Sequence, residues 1–183
     1  MIVFISGGAR SGKSDVAERT ALSLFHDCKD AKENSSLYYI ATAKKTDLEM
    51  EKRIQLHQQG RGNEWKTIEE PYELSSFLTS CKKNDVILID CLTIWLSQVL
   101  FEKELSTDSI KRAVADWLKL AARQQFHVII VSNDVNEELL PKDEGVLTYI
   151  YTLQQLHQQI ADQAEQVIQV VAGLPEYWKG GER

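Results

Sequence analysis

The stretch Gly7-Gly8-Ala9-Arg10-Ser11-Gly12-Lys13-Ser14 decides the fold of this chain. Its glycine, lysine and serine spacing is that of a phosphate-binding loop (P-loop). The residues before it, 2–5, are apolar and mostly β-branched, and those after it, 15–25, have apolar side chains at helical spacing. A loop between a strand and a helix N-terminus directs backbone N–H groups and the helix dipole toward an anion. The context therefore predicts a nucleotide-binding protein.

Each residue of the loop has an expected part in this binding. Gly7 and Gly12 let the backbone turn its N–H groups inward around phosphate oxygens. Lys13 supplies a cation near the β- and γ-phosphates, and Ser14 is a ligand for Mg²⁺. We expect all the residues of the motif to contact the nucleotide: Gly7, Gly8, Ala9, Arg10, Ser11, Gly12, Lys13 and Ser14.

Composition narrows the class of protein. The chain has 183 residues, a length that suits one globular domain over 1–183. A net charge of −6 argues against a nucleic-acid surface, which usually needs a basic face. No apolar run is long enough to span a membrane, and no signal peptide is recognised. Cys28, Cys81 and Cys91 show no CxxC pairing, so we expect reduced thiols in the cytoplasm rather than disulfides or a zinc site.

Strand-like and helical segments alternate along the chain, which predicts an α/β fold like that of P-loop nucleoside triphosphate hydrolases. We expect a mainly parallel sheet with helices on both faces. The predicted strands are residues 2–6, 37–41, 86–90, 127–132 and 167–172. The predicted helices are residues 13–25, 47–59, 72–80, 92–102, 107–125 and 148–164. Loops are expected at 29–36, 60–63 and 137–145, and a frayed tail at 180–183.

A second nucleotide signature lies at residues 86–90, four apolar residues followed by Asp90. In P-loop enzymes an acid at the end of a neighbouring strand orients Mg²⁺, so we favour this role over that of an ordinary strand-terminal carboxylate. Thr93, Ser132 and Asn133 belong to the same edge of the predicted sheet, where open α/β folds bind ligands. For these three, ligand contact and local capping stay open.

The segment 49–61 is unusual for a surface helix. Arg53 and His57 are four residues apart and share a face, with Glu49 one turn earlier. A lone helical histidine is usually structural or solvated. Here it forms part of an ordered set: the P-loop, then Tyr-Ile-Ala-Thr-Ala at 39–43, Glu-Met-x-x-Arg-Ile-x-x-His at 49–57, Trp-Lys-Thr-Ile-Glu-Glu-Pro at 65–71, Asp-Cys-Leu-Thr at 90–93 and Val-Ser-Asn at 131–133.

This ordered set resembles the bifunctional adenosylcobinamide kinase/adenosylcobinamide-phosphate guanylyltransferase family of cobalamin biosynthesis. The resemblance implies two reactions. ATP or GTP first phosphorylates the aminopropanol hydroxyl of adenosylcobinamide. GTP then transfers GMP to an enzyme histidine, pyrophosphate leaves, and the substrate phosphate takes up the GMP to give adenosylcobinamide-GDP. The P-loop and Asp90 imply Mg²⁺ as cofactor. The family resemblance implies a small homo-oligomer, with a trimer possible.

The match places the covalent histidine at His57, a chemically competent nucleophile near neutral pH. Arg53 and Arg61 are expected to compensate charge on the transferring phosphate. Further residues that the resemblance places around the nucleotide are Ala41, Thr42, Ala43, Gln58, Gln59, Gly60, Arg61, Glu69 and Asp90. Glu69 and Asp90 bind either metal or guanine N–H groups, and the sequence leaves both open. His26, His127 and His157 are expected to be structural or exposed.

The likeness weakens after Asn133. The common family form is Asn-Glu-Val-Gly, a proline, and a helix with Arg-x-Phe-Arg-Asp-x-x-Gly-x-x-Asn-Gln. This chain has Asn-Asp-Val-Asn at 133–136, Pro141, and residues 147–158 without the two arginines, the aspartate and the glycine, although Gln158 fits. Either other groups replace them or one step is lost. Two alternatives follow: a P-loop small-molecule kinase without guanylyl transfer, and a non-enzymatic nucleotide switch, which the His57 segment does not fit.

Overall fold

The apolar, β-branched segments of the chain form strands of one sheet in the computed structural model, which describes residues 1–30, 34–44, 62–134 and 143–181. Within these residues the strand order is β3-β2-β4-β5-β1-β6-β7. Every neighbouring pair is parallel except β6 and β7. The strands are β1 (Ile2–Gly7), β2 (Leu37–Ala41), β3 (Trp65–Glu69), β4 (Val86–Asp90), β5 (His127–Val131), β6 (Gln166–Val171) and β7 (Leu174–Lys179).

Helices cover both faces of this sheet. One face packs on the first helix through Val16, Ala17, Ala21 and Phe25, and the other packs on the later helices in a separate apolar cluster around Trp95 and Trp117. The helices in the described residues are α1 (Lys13–Asp30), α2 (Leu74–Ser80), α3 (Leu92–Phe101), α4 (Thr107–Gln124) and α5 (Glu144–Gln163). The predicted α/β class, with a mainly parallel sheet between two helical layers, is confirmed.

No helix in the described ranges combines the length and the apolar character needed to cross a membrane.

Several predicted boundaries are corrected by the structure. β3 and β7 were not predicted as strands. α1 continues to Asp30, so the loop predicted to begin at residue 29 begins later in the structure. α5 begins at Glu144 rather than 148, because the Asp143 carboxylate accepts the Val146 N–H at 3.0 Å and caps the first turn. The helix predicted at 47–59, most of the loop at 137–145 and the last two residues of the tail lie outside the described residues.

The strand order determines which loops meet. β5 lies between β1 and β4, so the P-loop after β1 and Asp90 at the end of β4 are separated by the width of one strand. Because these strands are parallel, their carboxyl ends share one edge of the sheet. Both predicted nucleotide signatures therefore lie at this carboxyl edge, where open α/β folds bind ligands.

Candidate active site

The P-loop is closed around its own lysine. Lys13 is 8% exposed, and its Nζ donates a hydrogen bond to the Gly8 carbonyl at 3.0 Å. Arg10 and Gly12 have positive φ angles of 59° and 87°, which turn the backbone tightly. The Ser11 N–H donates to the Gly8 carbonyl at 3.2 Å. This arrangement directs the ammonium group into the concave side of the loop, ahead of the N-terminus of α1, as a phosphate site requires.

Two glycines of the loop, Gly7 and Gly12, are required by close packing. A Cβ at Gly7 would lie 2.6 Å from both Ser11 Oγ and the Val170 carbonyl, and a Cβ at Gly12 would lie 3.2 Å from the Gly173 Cα. The Gly173 N–H donates to the Ser11 carbonyl at 2.8 Å. The turn between β6 and β7 therefore supports the P-loop from behind, a contact that the loop motif alone does not indicate.

Ser14 and Asp90 come together as the sequence predicts. Ser14 Oγ donates to Asp90 Oδ2 at 3.4 Å, and the Tyr39 hydroxyl donates to the same oxygen at 2.8 Å. A hydroxyl and a carboxylate are oxygen ligands that fit Mg²⁺, which usually takes one or two protein oxygens together with phosphates and water. The described residues contain no group of three or more His, Cys, Asp or Glu side chains arranged to hold a metal.

The end of β2 is joined to the end of β4 by side-chain bonds to the backbone. Thr42 is fully buried; its Oγ1 donates to the Cys91 carbonyl at 2.9 Å and accepts the Cys91 N–H at 2.8 Å. Gln98, on α3, donates to the Thr42 carbonyl at 2.8 Å and to the Pro71 carbonyl at 3.1 Å. The Thr42 hydroxyl is thus occupied in shaping the edge. The sequence analysis did not identify Gln98 as a site residue. Its signal was a single amide side chain within the mainly apolar segment 92–101.

Three strand ends align at the far side of the edge. In register, Ala41 pairs with Glu69 on one side and with Asp90 on the other. Glu69 is exposed at the rim, whereas Asp90 faces Ser14. The next residue, Glu70, has a local role, since its Oε1 accepts the N–H groups of Tyr72 and Glu73 at 3.0 and 2.9 Å.

The end of β5 carries a second polar network. Asn133 Nδ2 donates to Thr93 Oγ1 at 3.0 Å, and Thr93 Oγ1 lies 3.0 Å from Cys91 Sγ. Ser132 Oγ and His157 Nε2 are 2.7 Å apart. Burial lowers the pKa of His157 to about 4, so the ring is neutral near pH 7. Thr93, Ser132 and Asn133 all have structural partners here, and His157 has the structural role expected of it.

The other two histidines also agree with the expectation. His26 is exposed and pairs with Glu64 at 3.1 Å, and His127 contacts the Cys28 thiol at 3.7 Å. The remaining predicted site residues lie outside the described residues: Arg53, His57, Gln58, Gln59, Gly60 and Arg61. Ala43 is described and follows Thr42 at the same edge.

The altered family segment forms the first half of α5. Where the common form has arginines, this chain has Leu147 and Ile150, and Ile150 is buried. Tyr149 stands at the phenylalanine position, and its hydroxyl donates to the Thr93 carbonyl at 3.1 Å. Burial raises the pKa of Tyr149 to about 12. The contact of α5 with the carboxyl edge is thus made by the neutral side chain of Tyr149.

A buried lysine in a glycine loop, with a serine–aspartate pair at the carboxyl edge of a parallel sheet, defines the class of P-loop nucleotide-binding α/β proteins. Residues 3–177 match the family described as cobinamide kinase / cobinamide phosphate guanyltransferase. The chain belongs to this family. The family predicted from the motifs, and with it the predicted enzyme class, a kinase and guanylyltransferase, are confirmed.

Curated relatives agree over nearly the whole length. The bifunctional adenosylcobalamin biosynthesis protein CobP of Pseudomonas aeruginosa is 38% identical, covering 96% of this chain and 96% of its own. The bifunctional adenosylcobalamin biosynthesis proteins CobU of Salmonella typhimurium and Escherichia coli are 31% and 29% identical, each covering 95% of this chain and 97% of its own. The likeness therefore extends through the altered segment in α5.

Proposed function

We propose that this protein phosphorylates adenosylcobinamide with ATP or GTP and then transfers GMP from GTP to that phosphate, giving adenosylcobinamide-GDP. The observation that carries the proposal is the convergence of Lys13, Ser14 and Asp90 at one edge of the sheet, in a chain of this family. The nucleotide donors of the two steps are both triphosphates, so one P-loop can bind either of them. The product, adenosylcobinamide-GDP, is an intermediate of cobalamin biosynthesis.

In the kinase step the bond between the γ-phosphorus and the oxygen of the β-phosphate breaks, and ADP or GDP leaves. A bond from the γ-phosphorus to the substrate hydroxyl oxygen forms, and the hydroxyl proton passes to solvent. Lys13 and the backbone N–H groups of residues 8–14 hold the β- and γ-phosphates and offset the charge that develops between them. Ser14 and Asp90 would hold Mg²⁺, which neutralises phosphate charge when bound. Tyr39 fixes the Asp90 carboxylate by its 2.8 Å hydrogen bond.

In the guanylyl step a nitrogen of neutral His57 attacks the α-phosphorus of GTP, a P–N bond forms, and pyrophosphate leaves. An oxygen of the substrate phosphate then attacks the same phosphorus and releases the imidazole. In this proposal Arg53 and Arg61 offset the charge on the transferring phosphate. Gln58, Gln59 and Gly60 complete the nucleotide contacts in this proposal, with Ala43 after the end of β2. Ala41 and Thr42, which the sequence also suggested as contacts, are buried and shape that edge from within.

Two carboxylates divide the remaining tasks in this proposal. Asp90 serves the metal, because its oxygen is shared with Ser14 and Tyr39. Glu69 serves the guanine base, because it is exposed at the rim and separated from Asp90 by the width of β2. An ionised carboxylate only accepts hydrogen bonds, which matches the N–H donors of guanine.

The oligomeric part of the proposal, a homo-oligomer such as a trimer, is supported by β7. All its residues are exposed, with Leu174 and Trp178 at 70% and 71%. An apolar edge strand favours pairing with another chain. Sedimentation velocity on the wild type and on Trp178→Glu tests this. The proposed cytoplasmic location is supported by Cys28, Cys81 and Cys91, all of which are free and buried.

The test of the proposed function uses GTP labelled at the α-phosphate, followed by denaturing electrophoresis. We expect a labelled protein band that disappears in His57→Ala and persists in His26→Ala, an exposed histidine bonded to Glu64. His57→Ala should keep the kinase reaction, which needs no covalent acceptor. Guanylyl transfer should fall as pH drops through about 6.5, where an unperturbed imidazole is protonated.

Other outcomes would point elsewhere. Kinase activity without any labelled band would favour a kinase that lacks guanylyl transfer, the candidate suggested by Leu147 and Ile150 in place of arginines. Equal loss of both activities in His57→Ala would assign that histidine a structural role. If adenosylcobinamide is not phosphorylated at all, the proposed function is wrong.

A further inference from the structure

A partly exposed aromatic patch lies where α3 ends against the start of α5. Phe101 is 50% exposed, and its ring stacks on Tyr149 with centroids 6.2 Å apart and planes inclined by 25°. The ring edge borders Gly145, where a Cβ would be 3.6 Å away. Val146, 39% exposed, stands on the same turn of α5. We call Phe101, Tyr149 and Val146 the aromatic patch.

The aromatic patch is joined to the catalytic edge by hydrogen bonds. The Tyr149 hydroxyl donates to the Thr93 carbonyl at 3.1 Å, and the Thr93 hydroxyl accepts from Asn133 at 3.0 Å. Thr93 follows the end of β4, and Asp90 at that end meets Ser14 of the P-loop. One side of the stacked rings thus reaches the edge where phosphoryl transfer is proposed, and the other faces solvent.

Charged residues follow Phe101 directly in the chain, Glu102 and Lys103. The ammonium groups of Lys44 and Lys103 lie 4.7 and 4.2 Å from the centroid of the Tyr72 ring. The Glu102 carboxylate accepts the Tyr72 hydroxyl at 2.8 Å and pairs with Lys44. The exposed Phe101 ring is therefore followed directly in the chain by charged side chains. Apolar surface with a few polar groups nearby is typical of small-molecule sites.

We propose that the aromatic patch binds the corrinoid ring of the substrate while the hydroxyl arm reaches the P-loop. The inference rests on the proposed function, since it concerns the acceptor of that reaction. A corrinoid has broad, largely hydrocarbon faces with amide groups around its margin, and it is too large to enter the P-loop. Its aminopropanol hydroxyl must nevertheless approach Lys13 and Ser14. A ring seated on Phe101, with its amides toward Lys103 and Glu102, meets both requirements.

The test compares Phe101→Ala with Phe101→Leu and with Tyr151→Ala in the kinase reaction. Tyr151 is a matched control, because it is 52% exposed on α5 but two residues from Tyr149 and so on another side of the helix. We expect Phe101→Ala to raise the KM for adenosylcobinamide about tenfold and to leave the KM for ATP unchanged. Phe101→Leu should change it about twofold, and Tyr151→Ala should not change it.

Direct binding supplies the second readout. Equilibrium dialysis with cobinamide, followed by its visible absorbance, should show weaker binding to Phe101→Ala by a similar factor. Unchanged KM and binding in a folded Phe101→Ala protein would overturn the inference, as would an equal effect of Tyr151→Ala. A changed sedimentation coefficient in Phe101→Ala would instead identify the patch as an interface between copies and also overturn it. Failure of the proposed function would differ, because the wild type itself would not phosphorylate adenosylcobinamide.

Discussion

The two sides of the carboxyl edge are held together by different forces. On the P-loop side the shape comes from the backbone: positive φ angles at Arg10 and Gly12, and main-chain bonds from Ser11 and Gly173. On the side of β2, β4 and β5 it comes from side chains that reach across the edge, such as Tyr39 to Asp90 and Gln98 to Thr42.

This difference teaches how each side tolerates change. The P-loop is shaped by its backbone and depends on a few residue types at fixed positions. Single substitutions within it therefore act directly on phosphate binding. A side-chain network distributes its support over residues far apart in sequence, so each member contributes a modest part of stability or alignment. The following predictions test the contrast from the loop outward.

The largest effect is expected on the loop side, for Lys13→Ala. It removes the cation that offsets charge on the transferring phosphates, while the helix and strand beside it keep their packing. Both the kinase and guanylyl rates should fall about a thousandfold. Lys29→Ala is the control, because Lys29 is exposed at the far end of the same helix and pairs with Glu64. Initial-rate kinetics measures the loss of activity, and circular dichroism checks that the variant is folded. Near-normal turnover in a folded Lys13→Ala protein would show that the P-loop lysine is not needed for the reaction.

An intermediate effect is expected on the network side, for acid stability through His157. Its pKa of about 4 lies below that of an unfolded histidine, so the unfolded chain binds more protons between about 6.5 and 4. The free energy of unfolding should therefore be constant, with respect to this group, above about pH 6.5. It should fall as pH drops toward 4 and be lower by about 2 kcal/mol at pH 5. Urea unfolding at pH 7 and pH 5 measures this loss.

Two variants separate the contribution of His157 from general acid effects. His157→Gln keeps a polar partner for Ser132 but does not titrate, so its stability should change less between the two pH values. His26→Gln, an exposed replacement, should follow the wild type. Parallel pH profiles in wild type and His157→Gln would show that His157 is not the group responsible.

The smallest effect is expected for Tyr39→Phe, which removes one of the hydrogen bonds to Asp90. A hydrogen bond to a charged group contributes about 1 to 3 kcal/mol, and Ser14 remains to orient the carboxylate. The Mg²⁺ concentration for half-maximal kinase activity should rise about fivefold. Tyr38→Phe is the matched control, since that ring packs on Phe77. An unchanged Mg²⁺ requirement in Tyr39→Phe would separate this tyrosine from the metal site.

The same contrast explains which features the sequence could predict. The P-loop, β2 and β4 follow from local patterns, and the structure has them where those patterns are. The roles of Tyr39, Thr42 and Gln98 depend on partners 49 to 56 residues away. No local pattern indicates such partners, although a lone glutamine in an apolar helix is a signal that some buried acceptor needs it.

The two missed strands have a related cause. β3 is only partly buried, and it shows no clean alternation of apolar and polar residues. β7 is exposed on both faces, contains Pro175 and is held by its pairing with β6. Strand prediction relies on side-chain burial, so strands stabilised by backbone pairing at a sheet edge give little signal.

The support of the P-loop by Gly173 has a consequence for the folding of the protein. The P-loop follows β1, which pairs with β5 and β6, and the turn that supports the loop comes after β6, far away in sequence. Such long-range closure slows folding relative to helical proteins. The nucleotide site is therefore complete only when strands that are distant in sequence have paired and the turn between β6 and β7 has formed.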